Sequence, residues 1–90
     1  MRIIGNKWTG SILWHLKDHP MRFNEIARQL AGASKKVLAE RLKAMEENKL
    51  ITRKVISSKP VAVQYTIAAR GLSALTILEE LKYWTIENNL

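Results

Sequence analysis

The stretch RFNEIARQLAGASKKVLAERLKAMEENKL, residues 22–50, carries two apolar stripes of helical period separated by a short break. In the first, Phe23, Ile26, Ala27 and Leu30 recur at i, i+3, i+4 and i+7, which predicts a short helix. Its cap is expected at Asn24 or just before it. Ala31-Gly32-Ala33 then interrupts the pattern. Ser34 is a good N-cap for the next helix, whose stripe is Val37, Leu38, Leu42 and Met45. That helix is expected to end near Asn48 and Lys49, with Asn48 the better suited of the two to a left-handed cap. Two short helices joined by a small Gly-containing turn describe a helix-turn-helix.

Working outward, Trp8, Ile12, Leu13 and Leu16 fall at helical spacing between Lys7 and Asp18. Asp18-His19-Pro20 ends that helix, because the residue before proline avoids the α region. Beyond residue 50 the period changes to two: Ile51, Arg53 and Val55 alternate with Thr52, Lys54 and Ile56. Ser57-Ser58-Lys59-Pro60 is a turn cluster, and Val61, Val63, Tyr65 and Ile67 alternate again, which predicts a β-hairpin. Gly71 precedes a last helix that runs to about Asn88. The expected fold is mainly α with a small β-hairpin wing (α+β): a winged helix-turn-helix, one domain over residues 1–90.

The 90 residues carry 15 Lys plus Arg against 8 Asp plus Glu, a formal net charge of +7, and no Cys. Length alone indicates one domain. A chain this short buries roughly 60–65% of its unfolded surface, so a partner chain is a natural way to complete its core. Without cysteine there is no disulfide framework, thiolate metal site or cysteine nucleophile. No apolar run reaches the ~18 residues of a membrane span and no signal-peptide pattern opens the chain, so a cytoplasmic location is expected. Strong basicity points to a polyanion, most often nucleic acid or an anionic membrane surface. The charge is concentrated: residues 22–59 hold ten bases and four acids, a net +6, whereas residues 70–90 are net −1.

Taking Leu38 as the core direction of the third helix and ~100° per residue, Leu42 and Met45 lie within ~40° of it. Lys36, Ala39, Glu40 and Lys43 point roughly the other way. A helix with this second face can enter the major groove of double-stranded DNA. Lys35 and Lys36 sit in its first turn, where groove-reading residues usually lie, and Ser34 with the free N–H groups around it can take a phosphate. The candidate base readers are therefore Lys35, Lys36, Ala39, Glu40 and Lys43. Arg22, Arg53, Lys54 and Lys59 are candidate phosphate contacts. The plain alternatives are a solvated helix face and an edge strand protected by charge. Arg41 lies nearer the core edge, as a packing or positioning residue.

Three segments, Ile4-Gly5-Asn6-Lys7-Trp8, Arg22-Phe23-Asn24-Glu25-Ile26 and Ser34-Lys35-Lys36-Val37-Leu38-Ala39-Glu40-Arg41-Leu42, make the chain resemble the HxlR family of bacterial and archaeal winged-helix regulators. The resemblance continues through Leu50-Ile51-Thr52-Arg53, Pro60, Val63-Gln64-Tyr65 and Gly71. It implies a MarR-like regulator that binds operator DNA as a homodimer and represses or activates nearby genes. The family's Gly-Leu after the recognition helix is Lys49-Leu50 here. Its basic residue after the wing proline is Ala62, its Glu before the Tyr is Gln64, and its Thr at the start of the last helix is Ala68. Some members carry a redox-sensing cysteine near the N-terminus, a switch that a chain without cysteine does not inherit.

The last helix carries its own message. On a wheel from Leu72, Ile77 and Trp84 point near ~130°, Leu81 near ~180°, Leu75 near about −60° and Leu78 near about −120°. A helix apolar all round is normally buried on every side. The first and last helices are therefore expected to form a dimer interface, with Trp14, Leu75, Leu78, Leu81 and Trp84 as its residues. Trp14 lies opposite the core stripe of the first helix, while Trp8 belongs to the core.

Other chemistry is poorly supported. His15 and His19 have metal-ligand spacing, but Pro20 breaks the helical register after His19 and no carboxylates cluster nearby. Glu46-Glu47 and Glu79-Glu80 are neighbours on different helix faces, which is not an acid–base pair in a pocket. No enzyme activity, metal or cofactor is expected, and a small-molecule effector is left open. The rival to an operator-reading regulator is a winged-helix architectural DNA binder or protein-interaction module.

Overall fold

The computed structural model describes residues 7–30 and 32–89. Along the chain run α1 (Lys7–Leu16), β1 (Met21–Arg22), α2 (Phe23–Gln29), α3 (Lys35–Glu47), β2 (Ile51–Ser58), β3 (Val61–Ile67) and α4 (Ala69–Glu87). The helix-turn-helix is α2–α3 and the wing is β2–β3, so the winged-helix reading of the sequence holds. The core joins Ile12, Leu13 and Leu16 of α1, Ile26 of α2, and Leu38, Leu42 and Met45 of α3. Leu50, Ile51, Met21 and Tyr65 close it from the sheet side, and Ala74 and Leu75 from α4. The radius of gyration is 13.7 Å, above the ~12 Å of a compact chain this long.

β1 was not legible in the sequence. It is two residues long, too short for any period, and exists only because Met21 and Arg22 pair antiparallel with Tyr65 and Gln64. The resulting order is β1-β3-β2. The second helix is capped just before Asn24, within the span the sequence offered. Arg22 is its N-cap, and the Arg22 backbone N–H donates to Glu25 Oε1 at 2.9 Å. The carboxylate three residues in thus satisfies a donor the helix cannot. Ser34 caps α3 as expected, its Oγ accepting from the Val37 N–H at 3.1 Å. Val37 itself leaves the predicted stripe and is 38% exposed.

At the end of α3, Asn48 keeps φ −88° while its Nδ2 donates to the Ala44 carbonyl at 2.7 Å. The left-handed residue is Lys49, at φ 61°, not Asn48. Chain direction decides this: Leu50 and Ile51 must both turn into the core immediately afterwards. A Cβ in that conformation costs about 1–2 kcal/mol, against the ~0.5–1 kcal/mol that glycine loses in unfolded-state entropy. Lys49→Gly is therefore expected to stabilise the domain by up to about 1 kcal/mol, raising Tm by roughly 4–8 °C at that limit. Thermal unfolding followed by circular dichroism checks this, and a lowered Tm would refute it.

The wing is a strand pair with almost no core beneath it. Only Ile51 of β2 is buried, while Val55, Ile56 and Val61 stay open to solvent. The alternation in the sequence therefore marks a pleated strand but not a half-buried one. A register shift between Val55 and Ser57 bends the strand as it leaves the body. α4 begins at Ala69, so Gly71 lies in its first turn rather than before it. Gly71 is there because the Leu50 carbonyl oxygen occupies the space a side chain would need. The same carbonyl accepts the Ala68 N–H at 2.9 Å. This junction pins the start of α4 to the end of α3.

Candidate nucleic-acid interface

α3 separates its two faces as a groove-entering helix must. Leu38, Leu42 and Met45 are buried, and Lys35, Lys36, Ala39, Glu40 and Lys43 are all exposed. At ~100° per residue, Lys36, Glu40 and Lys43 fall within about 60° of one another. They form one ridge of long polar side chains, with Ala39 beside it and Lys35 on its flank in the first turn. Ser34 spends its Oγ lone pair on the cap, which leaves its O–H to donate. Arg41 is half-buried with a buried Nε that lacks a hydrogen-bond partner. That places it on the core edge.

The sheet sorts the remaining bases in a way the sequence concealed. Gln64 of β3 pairs with Arg22 on one side and with Lys54 on the other. Residues directly opposite in adjacent strands project to the same face. Arg22, Gln64 and Lys54 therefore form one row across three strands, its ends about 10 Å apart at the usual strand spacing. Arg53 stands in the next row, opposite Tyr65 and thus in line with Met21. Its side chain leaves the sheet on the core-facing side, beyond the core's edge, where it is exposed. Arg53 and Lys54 are neighbours in sequence but belong to opposite faces. Lys59 sits in the two-residue connection between the strands and is exposed. Among the described residues, no ion pair engages the bases of α3 or the wing; the pair that forms is Lys17–Asp18, just past the end of α1. Gln64 is the residue that sequence reasoning missed as part of this row, since only the β1–β3 pairing brings Arg22 to it.

A second surface belongs to α4. Leu75 is 4% exposed and packs into its own core, so it is not available to a partner as expected. Leu78 is half-buried against α1, where a Cβ added to Gly10 would lie 3.6 Å from its Cδ1. The helix is long enough to bury one side in its own domain and still leave Ile77, Leu81 and Trp84 exposed, at 60%, 54% and 52%. These three recur at i, i+4 and i+7, one stripe. Trp14 is exposed too, but it lines a groove between α1 and α4 that does not include Trp84. Both tryptophans are therefore exposed, and of the two Trp14 lines the groove. His15 packs edge-on against Trp14, and His19 Nδ1 lies 3.0 Å from the Pro20 carbonyl. The described residues hold no group of three or more His, Asp or Glu placed to bind a metal. No described helix is long and apolar enough to cross a membrane.

Known proteins share this arrangement. The chain is similar to the HTH-type transcriptional regulator YodB of Bacillus subtilis, at 38% identity over 82 residues, covering 91% of this chain and 73% of YodB. It superposes on the reduced form of YodB with a TM-score of 0.82 at 37% identity, covering 93% of this chain and 82% of that one. A MarR-family structure from Enterococcus faecalis V583 matches at TM-score 0.87 and 30% identity, covering 98% of this chain and 80% of that one. A match to the HxlR-like helix-turn-helix family runs from residue 3 to residue 89. Every helix and strand described above falls inside that span, and the chain belongs to the HxlR-like helix-turn-helix family.

Proposed function

We propose that the chain is a homodimeric transcriptional regulator that binds double-stranded DNA with sequence specificity, acting in the cytoplasm. α3 enters the major groove, and the β2–β3 hairpin contacts the flanking backbone or minor groove. The observation that carries this reading is the exposed ridge of Lys36, Glu40 and Lys43 opposite a fully buried stripe. A ridge of that kind fits a groove ~12 Å wide, where lysine reads guanine and glutamate accepts from the cytosine amino group. Lys35 and Ala39 join this ridge in reading bases, and Ser34 meets a phosphate at the helix start. Arg22 and Lys54, held in one row, grip backbone, as do Lys59 at the wing tip and Arg53 on the other face. Such contacts set affinity and register, not sequence. The dimer is built on Ile77, Leu81 and Trp84, which the domain does not cover itself. Two copies then present two recognition helices to half-sites about one helical turn apart, which favours a pseudo-palindromic operator. The names of the curated relatives support a regulatory role. No cofactor enters this reading.

The test is selection of bound duplexes from a random pool, followed by binding of selected and scrambled sites. Lys36→Ala is expected to lose affinity and, at a contacted base pair, about 1–3 kcal/mol of discrimination. Equal affinity of the wild-type protein for selected and scrambled duplexes would instead identify an architectural DNA binder.

A further inference from the structure

We propose that the tip of the wing is an apolar wedge that enters the minor groove beside α3 and kinks the duplex there, one wedge per chain. The core-facing side of the sheet does not end with the core. Tyr65, Val63 and Val61 alternate along β3 onto that one face, and Val55 stands opposite Val63. Exposure grows outward along it: Tyr65 is buried, Val63 half-buried, Val55 51% exposed and Val61 70%. Val61 is the most exposed large hydrophobic among the described residues, and Pro60 beside it is open to solvent as well. A contiguous apolar surface of this kind marks a contact. Its surroundings identify the partner. No acid occurs between Glu47 and Glu79, a span that carries Lys49, Arg53, Lys54, Lys59 and Arg70. A second copy of the hairpin would bring like charge against like charge, whereas a polyanion is complementary to it. The hairpin also continues the ridge of α3, since β2 begins at Ile51, directly after that helix ends at Glu47.

The dimensions decide how DNA receives such a hairpin. Its strands lie ~4.8 Å apart between backbones, and with side chains the ribbon is wider than the ~6 Å of a minor groove. Entry therefore requires the groove to open. A wedge opens it by partly unstacking one base step, which kinks the duplex by about 20–90°. Val61 is that wedge, backed by Pro60 and Val55, and none of these side chains can hydrogen-bond a base. Arg53 and Lys54 leave opposite faces of the ribbon, one toward each strand that borders the groove, and Lys59 adds a cation at the tip. The tip reads sequence through deformability, favouring flexible TA and CA/TG steps about half a helical turn from the bases under α3. This inference rests on the DNA-binding reading above and adds to it a bend and a position that is read without hydrogen bonds.

The test uses the full chain and its selected duplexes, labelled at both ends for energy transfer. The wild-type protein is expected to bend the duplex by at least about 20° at each flank. 2-Aminopurine placed at the wedged step should brighten as it unstacks. Replacing a flanking TA step by a stiff A-tract should cost about tenfold in affinity. The double variant Val55→Ser, Val61→Ser changes two exposed positions, so its circular dichroism should match the parent. It should lose most of the bend, the brightening and the TA preference. Its salt slope should stay as in the parent, because every cation is still in place. A wild-type protein that discriminates selected from scrambled duplexes but leaves them straight overturns the wedge alone, and so does a serine variant that bends DNA as the parent does. Absence of binding to any duplex overturns the DNA reading and the wedge together. Tighter binding to phosphatidylserine vesicles than to duplex, lost in the serine variant, would assign the tip to a lipid surface and overturn the wedge as well.

Discussion

Gly71→Ala is expected to unfold the domain at or below the temperatures the parent tolerates easily. An added Cβ would run into the Leu50 carbonyl oxygen and come within 3.0 Å of both the Leu50 carbonyl carbon and Ile67 Cγ1. Two of these three atoms are backbone, so no rotamer change relieves the clash. Relief requires α4 to lift from the α3–β2 junction, which breaks the hydrogen bond from Ala68 to Leu50 and opens the core at Ala74 and Leu75. Overpacking of this kind costs about 1–3 kcal/mol and occasionally more, and the backbone contact puts this case at the upper end. For a 90-residue chain, about 3 kcal/mol lowers Tm by roughly 12–24 °C. Gly10→Ala is the matched control. Its Cβ would meet Leu78 Cδ1 at 3.6 Å, an ordinary contact, and alanine replaces glycine inside a helix, a gain of roughly 0.5–1 kcal/mol. Equal Tm values for the two variants would show that the Leu50–Gly71 approach is not what holds α4.

Leu81→Asp should convert the dimer to a monomer without harming the fold. Leu81 is 54% exposed and sits in the middle of the Ile77–Leu81–Trp84 stripe. In a two-fold contact the substitution enters twice, and each carboxylate would be buried against an apolar surface with no counter-charge. Sedimentation at micromolar concentration should show the parent as a dimer and the variant as a monomer with unchanged circular dichroism. Operator affinity should fall by about 10²–10⁴, because two tethered half-site contacts become one. A parent protein that sediments as a monomer, or a variant that remains a dimer, would remove the stripe as the dimer contact.

The proposed reading gives α4 a mechanical role as well. Its N-terminus is fixed to the end of α3 through Leu50, and its exposed stripe meets the partner. The spacing of the two recognition helices is then set by a short rigid path: α3, Leu50, Gly71, α4. This is why a tight backbone contact is more useful at residue 71 than a flexible linker would be.

Much of this architecture is local and was legible in the sequence. A helix satisfies its own backbone hydrogen bonds within four residues, so the stripes of α1, α2 and α3 and the Ser34 cap can be read off spacing alone. The hairpin shows itself by a change of period around a turn cluster, and the +6 balance of residues 22–59 is a count. What remained hidden depends on residues far apart in the chain. β1 is a strand only because Tyr65 and Gln64 lie beside it, and that pairing alone puts Arg22 in one row with Lys54. Lys49, not Asn48, takes the left-handed turn, because the burial of Leu50 and Ile51 dictates where the chain must go. The wheel of α4 shows apolar residues all round and cannot say which of them meet the domain. Packing on α1 and Leu50 turns Leu75 inward and leaves Leu81 and Trp84 outside. Period and capping are set by neighbours a few residues away, whereas register and facing are chosen by contacts that form only once the chain has closed on itself.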